Sequence, residues 1–290
     1  MAVSVSASHT PASGYRLRRR LSFLALLALL TFISVLMCYP FLWLIFSSFK
    51  SSADIVTLPI QLLPRQWTLS AFEMALTHTN LPRAYLNSLG LTAAIVLSIL
   101  FTSSLGGFVF ARLYFPGRDL IFLFILSTTM IPFVTLLIPL YLVMQRLGVL
   151  NTYLAVYIPS AVSSFGIFLC RQFVFNVPRD LYDAAKIDGC GDFRTYTHIS
   201  LPLMKPVLSA LAIFSFLSAF NAYLWPLVVL NDERLFTLPL ILAQLSSSFG
   251  VTNYQGVMAG SLLSCLPTLL VYIIFQRNFV RGIALSGLKG

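Results

Sequence analysis

The sequence predicts an all-α integral membrane protein with six transmembrane helices. Three observations predict it. The 290-residue chain is 58% hydrophobic and 10% charged, with a mean hydropathy of +0.87; a soluble domain carries about 25% charged residues. Six apolar runs reach or approach the roughly 20 residues that a helix needs to cross a bilayer. None of the six contains Asp, Glu, Lys, Arg or His.

The runs are Leu21–Phe46, Leu86–Phe110, Leu120–Met144, Tyr153–Cys170, Val207–Leu230 and Val257–Phe275. The first follows Arg16, Arg18, Arg19 and Arg20 and could be mistaken for a signal peptide. It is too long for a typical signal core and no small-residue cleavage pattern closes it, so it reads as a retained first span over residues 21–46. Residues 1–20 form a tail rich in Ser, Ala, Thr and Arg, expected to be disordered. The fourth run is the shortest and holds Pro159 and Gly166. A core of five spans is expected over 86–276, with a polar insertion at 171–206 and a polar tail at 277–290.

An even number of spans puts both termini on one side. Fourteen Lys and Arg fall on the side of the termini and five on the other. By the positive-inside rule the fourteen face the cytoplasm, which makes the 171–206 insertion cytoplasmic and the chain a multi-pass protein of the cytoplasmic (inner) membrane.

Composition also excludes chemistry. Intramembrane charges mark proton relays and ion-coupled carriers, so their absence counts against a proton-driven carrier while leaving open sodium coupling through backbone and hydroxyl oxygens. His9, His78 and His198 all lie outside the runs, which disfavours an intramembrane Ser-His or zinc hydrolase. Cys38, Cys170, Cys190 and Cys265 are dispersed without metal-ligand spacing. We therefore expect no catalytic residue, no metal site and no cofactor. The net charge of +10 comes with no basic stripe interleaved with aromatics, so no nucleic acid is expected. No GxxxxGK[ST] loop occurs, so the chain has no P-loop ATPase site, and energy for active transport must enter through another subunit.

The insertion is where it could enter. Asn176-Val177-Pro178 suits a helix start, and Asp180 and Asp183 fall in early turns, where the helix dipole favours negative charge. Leu181, Ala184, Ala185 and Asp188 share one face at helical spacing, and the two alanines keep that face shallow. Gly189 suits the stop. Asp192 could cap a second short helix from Phe193 to His198, and Pro202 and Pro206 rigidify the return. Read alone, this is also what an ordinary amphipathic surface helix with capping acids looks like.

The spacing resembles the EAA loop of ABC importer permeases: an acidic residue, two alanines, three residues, a glycine, nine residues, then Ile-x-Leu-Pro. The matching positions are Asp183, Ala184, Ala185, Gly189, Ile199, Leu201 and Pro202. Asp188 and the run Leu201 to Pro206 are similar to the sugar-importer branch. Asp183 stands where glutamate is usual, which keeps the charge and shortens its reach. Ala111 to Arg118, Leu147 to Tyr153, Leu224 to Leu227 and Phe279 to Gly290 extend the resemblance to MalG-type permeases over roughly residues 20–290.

The resemblance implies a type I ABC importer permease fold. It implies a second, MalF-like permease, an ABC ATPase dimer and an extracytoplasmic solute-binding protein as partners, in membrane lipid. Asp183, Ala184, Ala185, Asp188, Gly189, Ile199, Leu201 and Pro202 would couple to the ATPase. The implied cargo is a sugar, with glycerol-3-phosphate or a polyol as the alternative within the class and an ATP-independent carrier or channel as the alternative outside it. Sugars are held by aromatic stacking and amide hydrogen bonds, so Asn221, Tyr223 and Trp225 are candidates for the pathway; Tyr and Trp also favour the membrane interface for other reasons. The stretches Asn231 to Gln255 and Lys50 to Tyr85 are candidates for meeting the binding protein.

Overall fold

The computed structural model describes residues 12–77, 79–247 and 253–287, and these hold helices and no strand. α1 (Ala12–Ser47) starts upstream of the expected Leu21, so residues 12–20 are helical where a disordered tail was expected; residues 1–11 lie outside the described residues. Its apolar side chains from Leu21 to Ile45 are largely exposed, and it meets the rest of the chain along the last helix. Two short helices follow, α2 (Ser52–Ile55) and α3 (Ser70–Thr77).

α4 (Leu81–Arg112) is the central element. It begins before the expected Leu86 because Asn80-Leu81-Pro82 places proline in the first turn, where its missing N–H costs nothing. One face carries Ile95, Ile99, Phe108 and Ala111 into the main apolar cluster.

The third run is not one helix. α5 (Arg118–Ser127) passes through a 3₁₀ turn, Thr128–Met130, and α6 (Phe133–Arg146) then leaves at 105°. Pro132 is the cause: it forces Ile131 into extended backbone (φ −84°, ψ 118°) and cannot donate into the helix.

α7 (Tyr153–Ser160) and α8 (Ser164–Phe175) cover the fourth apolar run, with a break at residues 161–163. Ser163 Oγ accepts from Gly166 N at 3.0 Å and starts the second half. α8 crosses α4 at backbone contact. A Cβ on Gly107 would stand 2.4 Å from Cys170 Cβ, and one on Gly166 would stand 2.3 Å from Ser103 Oγ. Lipid gives no hydrophobic drive between helices, so close approach through small residues is what holds such a crossing.

The polar insertion contains α9 (Arg179–Ile187), α10 (Asp192–Thr195), a π-helical turn at Tyr196–Ser200 and α11 (Leu201–Leu203). α12 (Lys205–Phe220) then departs at 74° from the segment before it, with Met204, wholly buried, at the bend between Pro202 and Pro206. The fifth run, expected to reach Leu230 unbroken, stops at Phe220; Asn221 to Tyr223 interrupt it before α13 (Leu224–Val229).

The stretch read as a loop from Asn231 to Gln255 holds α14 (Leu238–Ser247). Asn87 Nδ2 donates to the Arg234 and Phe236 carbonyls, each at 3.0 Å, and Leu238 N donates to Ser88 Oγ at 2.7 Å, so this segment is fastened to the Leu81 end of α4. Residues 248–252 of it lie outside the described residues. α15 (Tyr254–Gly287) closes the chain, extending through the expected polar tail; residues 288–290 lie outside the described residues. Among the described residues four helices are long and apolar enough to cross a membrane, or up to six if each bent pair is one span.

Candidate functional site

Two features stand out, one at the Arg112 end of α4 and one midway along the bundle. The first is α9. Pro178 is its N-cap rather than its first turn, and Asp180 sits at the positive end of the dipole. The helix stops at a Schellman motif. Gly189 adopts φ +78°, Cys190 N donates to the Ala185 carbonyl at 2.9 Å, and Gly189 N donates to the Lys186 carbonyl at 3.0 Å.

The face of α9 that packs inward differs from the one expected. Tyr182 (6% exposed) and Ala185 (5%) are buried and pack inward. Asp180, Leu181, Asp183, Ala184 and Ile187 point outward, with Ile187 86% exposed and Leu181 46% exposed. Tyr182 packs into the main apolar cluster, and Ala185 lies on the same side one turn later. Asp183 and Asp188 are exposed and form no ion pair among the described residues.

Behind α9 the return segment is anchored. Ile199 and Leu201 turn in against the main apolar cluster, while Pro202 is exposed. Asp192 does not cap α10 through its side chain; Gly191 holds that position. The π-helical turn faces Tyr196 and Ser200 inward together. Tyr196 hydrogen-bonds Ser104 of α4 through its hydroxyl at 2.8 Å and packs at 5.6 Å against Phe108, and Ser200 hydrogen-bonds Tyr182 at 3.0 Å. A π turn shifts the register of its side chains against the helix on either side, and here the shifted residues carry these two bonds.

Arg112 ends α4 beside α9. Its Nη2 donates to the Val174 carbonyl at 2.7 Å and the Val177 carbonyl at 2.5 Å, and its guanidinium lies 3.9 Å above the Tyr182 ring.

The second feature is a cavity of 740 Å³ walled by α4, α6, α7, α8, α12 and α13. Its walls are mainly apolar and aromatic, with Phe133, Phe165, Phe214 and Tyr223, and hydroxyls at Ser160, Ser163, Ser215 and Ser218. No lining residue is Asp, Glu, Lys, Arg or His. Of the three pathway candidates, Tyr223 and Trp225 line it and Asn221 does not; Asn221 Nδ2 donates to the Leu217 carbonyl at 2.9 Å and ends its own helix. Trp225 is 5% exposed, its indole N–H donates to the Ala155 carbonyl at 2.9 Å, and its ring meets Phe133 edge to face. It offers a ring face and no free donor. A serine in an apolar run does not show whether it faces a cavity until the helix rotation is known. Among the described residues no cluster of His, Cys, Asp or Glu could hold a metal.

A bundle of broken apolar helices around a polar-flecked cavity, with a structured polar helix at one end, defines a membrane transport subunit. The chain belongs to the family described as binding-protein-dependent transport system inner membrane component, which matches residues 103–285. It is 39% identical over 262 residues to the arabinooligosaccharides transport system permease protein AraQ of Halalkalibacterium halodurans, covering 89% of this chain and 94% of that one. It is 31% identical over 257 residues to the sn-glycerol-3-phosphate transport system permease protein UgpE of Brucella abortus, covering 86% and 91%. Its fold matches, at a TM-score of 0.82 and 23% identity, a chain of a bacterial ABC transporter involved in the import of the acidic polysaccharide alginate, over 94% of this chain and all of that one.

Proposed function

We propose that the chain is one of two permease subunits of an ATP-driven importer for a neutral saccharide that an extracytoplasmic binding protein delivers, and that α9 is the element through which an ATPase subunit drives it. The observation that carries this reading is the outward face of α9. It presents acids that form no ion pair among the described residues, a small alanine, and exposed Leu181 and Ile187, on a helix closed by a Schellman stop. Ile187, with Leu181 46% exposed on the same helix, favours a protein partner, since burial of such a side chain contributes about 1.5–3 kcal/mol. The lack of a P-loop requires that the ATPase be another chain. The positive-inside count puts α9 in the cytoplasm and both termini with it.

The cavity supports a neutral cargo. Rings and hydroxyls suit the apolar faces and hydroxyl rims of a sugar, whereas a phosphate or uronate calls for Arg or Lys, and none lines this chamber. Since relatives in the same family include a glycerol-3-phosphate permease, membership alone does not choose the cargo, and the lining is the argument. In this mechanism ATP-driven closure of the ATPase pair moves α9, and the spans rock about the cavity between inward- and outward-facing states. The test is uptake by proteoliposomes holding the complete transporter. ATP-dependent accumulation of labelled arabinooligosaccharide and none of labelled glycerol-3-phosphate is expected; the opposite preference overturns the cargo assignment.

A further inference from the structure

The geometry points to Arg112 as a positioning residue that pins α9 to α4, so that the two helices move as one body when α9 is driven. This rests on the reading of α9 as the coupling element. Three independent contacts converge on one guanidinium: the Val174 carbonyl at the end of α8, the Val177 carbonyl just before α9, and the face of Tyr182 within α9. A cation held on a desolvated ring is a strong contact; both carbonyls accept from the one Nη2, and a planar guanidinium can make such bonds while its face stacks on a ring. Arg112 Nε is buried without a hydrogen-bond partner. An orphaned donor is a penalty, tolerated here because the ring and the two carbonyls fix the orientation of the group.

Tyr182 carries the link onward. Its ring takes the guanidinium while its hydroxyl bonds Ser200, and Tyr196 four residues earlier bonds Ser104 back on α4. The loop Arg112–Tyr182–Ser200–Tyr196–Ser104 thus starts and ends on α4 and encloses the base of α9. Displacement of α9 alone would break a stack and buried hydrogen bonds together, so α4, which lines the cavity with Ile95 and Ile99, moves with it.

The test places nitroxide labels at Phe101→Cys and Lys186→Cys, both exposed positions, in an otherwise cysteine-free chain within the assembled transporter. Phe101 lies about 16 Å along α4 from Arg112 by helical rise. The distance distribution is recorded without nucleotide and with ATP plus vanadate. The account expects a narrow distribution that keeps its mean in both states, and one roughly twofold broader in Arg112→Gln and in Arg112→Lys, which keeps the charge and loses the fork. Tyr182→Leu broadens it as Arg112→Gln does, Tyr182→Phe leaves it narrow, and Arg112→Gln with Tyr182→Leu is no broader than either alone. A mean that shifts with nucleotide in the parent, or a narrow distribution in Arg112→Gln, overturns the pin. If Arg112→Gln does not accumulate, Tyr182→Leu, which spares both carbonyl bonds, decides. Co-purification of the ATPase with the parent is scored apart: its absence removes the docking reading, while the widths in the permease alone still judge the pin.

Discussion

The Tyr182 hydroxyl and Ser200 Oγ lie 3.0 Å apart in a buried contact that joins α9 to the π-helical turn. Neither oxygen is reached by water, so each depends on the other. Ser200→Ala is expected to destabilise the protein by about 1–3 kcal/mol, the range for stranding a buried polar group. The double variant Ser200→Ala with Tyr182→Phe should recover much of that loss. Unfolding temperatures of the detergent-solubilised variants measure it, and a double variant worse than the sum of the singles would count against the pairing.

Gly189 ends α9 at φ +78°, and a Cβ there would meet nothing within 4 Å. The cost of substitution is therefore conformational, about 1–2 kcal/mol for an L residue in the left-handed region, and local to α9. Gly189→Trp should leave the chain in the membrane at ordinary levels and abolish ATP-dependent uptake, because the stop of the helix and the surface beside it are both altered. Ala184→Trp, on the outward face, should do the same without strain. Full uptake by both variants would contradict docking through α9.

The crossing of α4 and α8 gives a contrast between two glycines on one helix. Gly107→Ala places its Cβ 2.4 Å from Cys170 Cβ and 2.8 Å from backbone atoms, whereas Gly90→Ala meets nothing within 4 Å. Overpacking costs about 1–3 kcal/mol, so Gly107→Ala should lower the unfolding temperature clearly and Gly90→Ala hardly at all. Equal effects would show that the helices do not approach as described.

Lys50 sits 1% exposed after α1, donating to the Gln61 carbonyl and lying over the Trp43 ring at 4.2 Å. Burial holds its pKa below the ordinary 10.5, and Asp54 offsets part of that. Below the folded pKa the amine is charged in both the folded and unfolded chain, and its contribution does not vary with pH. As pH rises from the folded pKa toward 10.5, the folded chain releases the proton first, so stability rises across that alkaline window. The unfolding temperature of the parent relative to Lys50→Met should climb there and be flat at neutral pH. A falling difference would reverse the sign of the argument.

Much of this was legible in the sequence and some was not, for physical reasons. The apolar runs fixed where helices lie because hydropathy is a sum over twenty residues and tolerates local error. The stop at Phe220 escaped the same count, since a break in a span changes hydrogen bonding and leaves composition alone. On α9 the end at Gly189 could be read because a left-handed stop favours glycine. The orientation of the helix could not, since spacing alone does not say that Tyr182 and Ala185 face the core while Ala184 faces out. Asn221 looked like a sugar ligand by residue type, but a broken helix end left its amide closer to its own backbone than to the cavity.

The central claim is that α9 meets an ATPase. A photoreactive benzoylphenylalanine at Ile187, introduced into the transporter in its native membrane and irradiated, tests it most directly, with the same group at Leu58, 84% exposed at the far end of the chain's fold, as the comparison. The account predicts an adduct between this chain and the ATPase subunit from Ile187 and none from Leu58. An Ile187 chain that crosslinks to no ATPase, in membranes where the transporter is assembled and active, would contradict it.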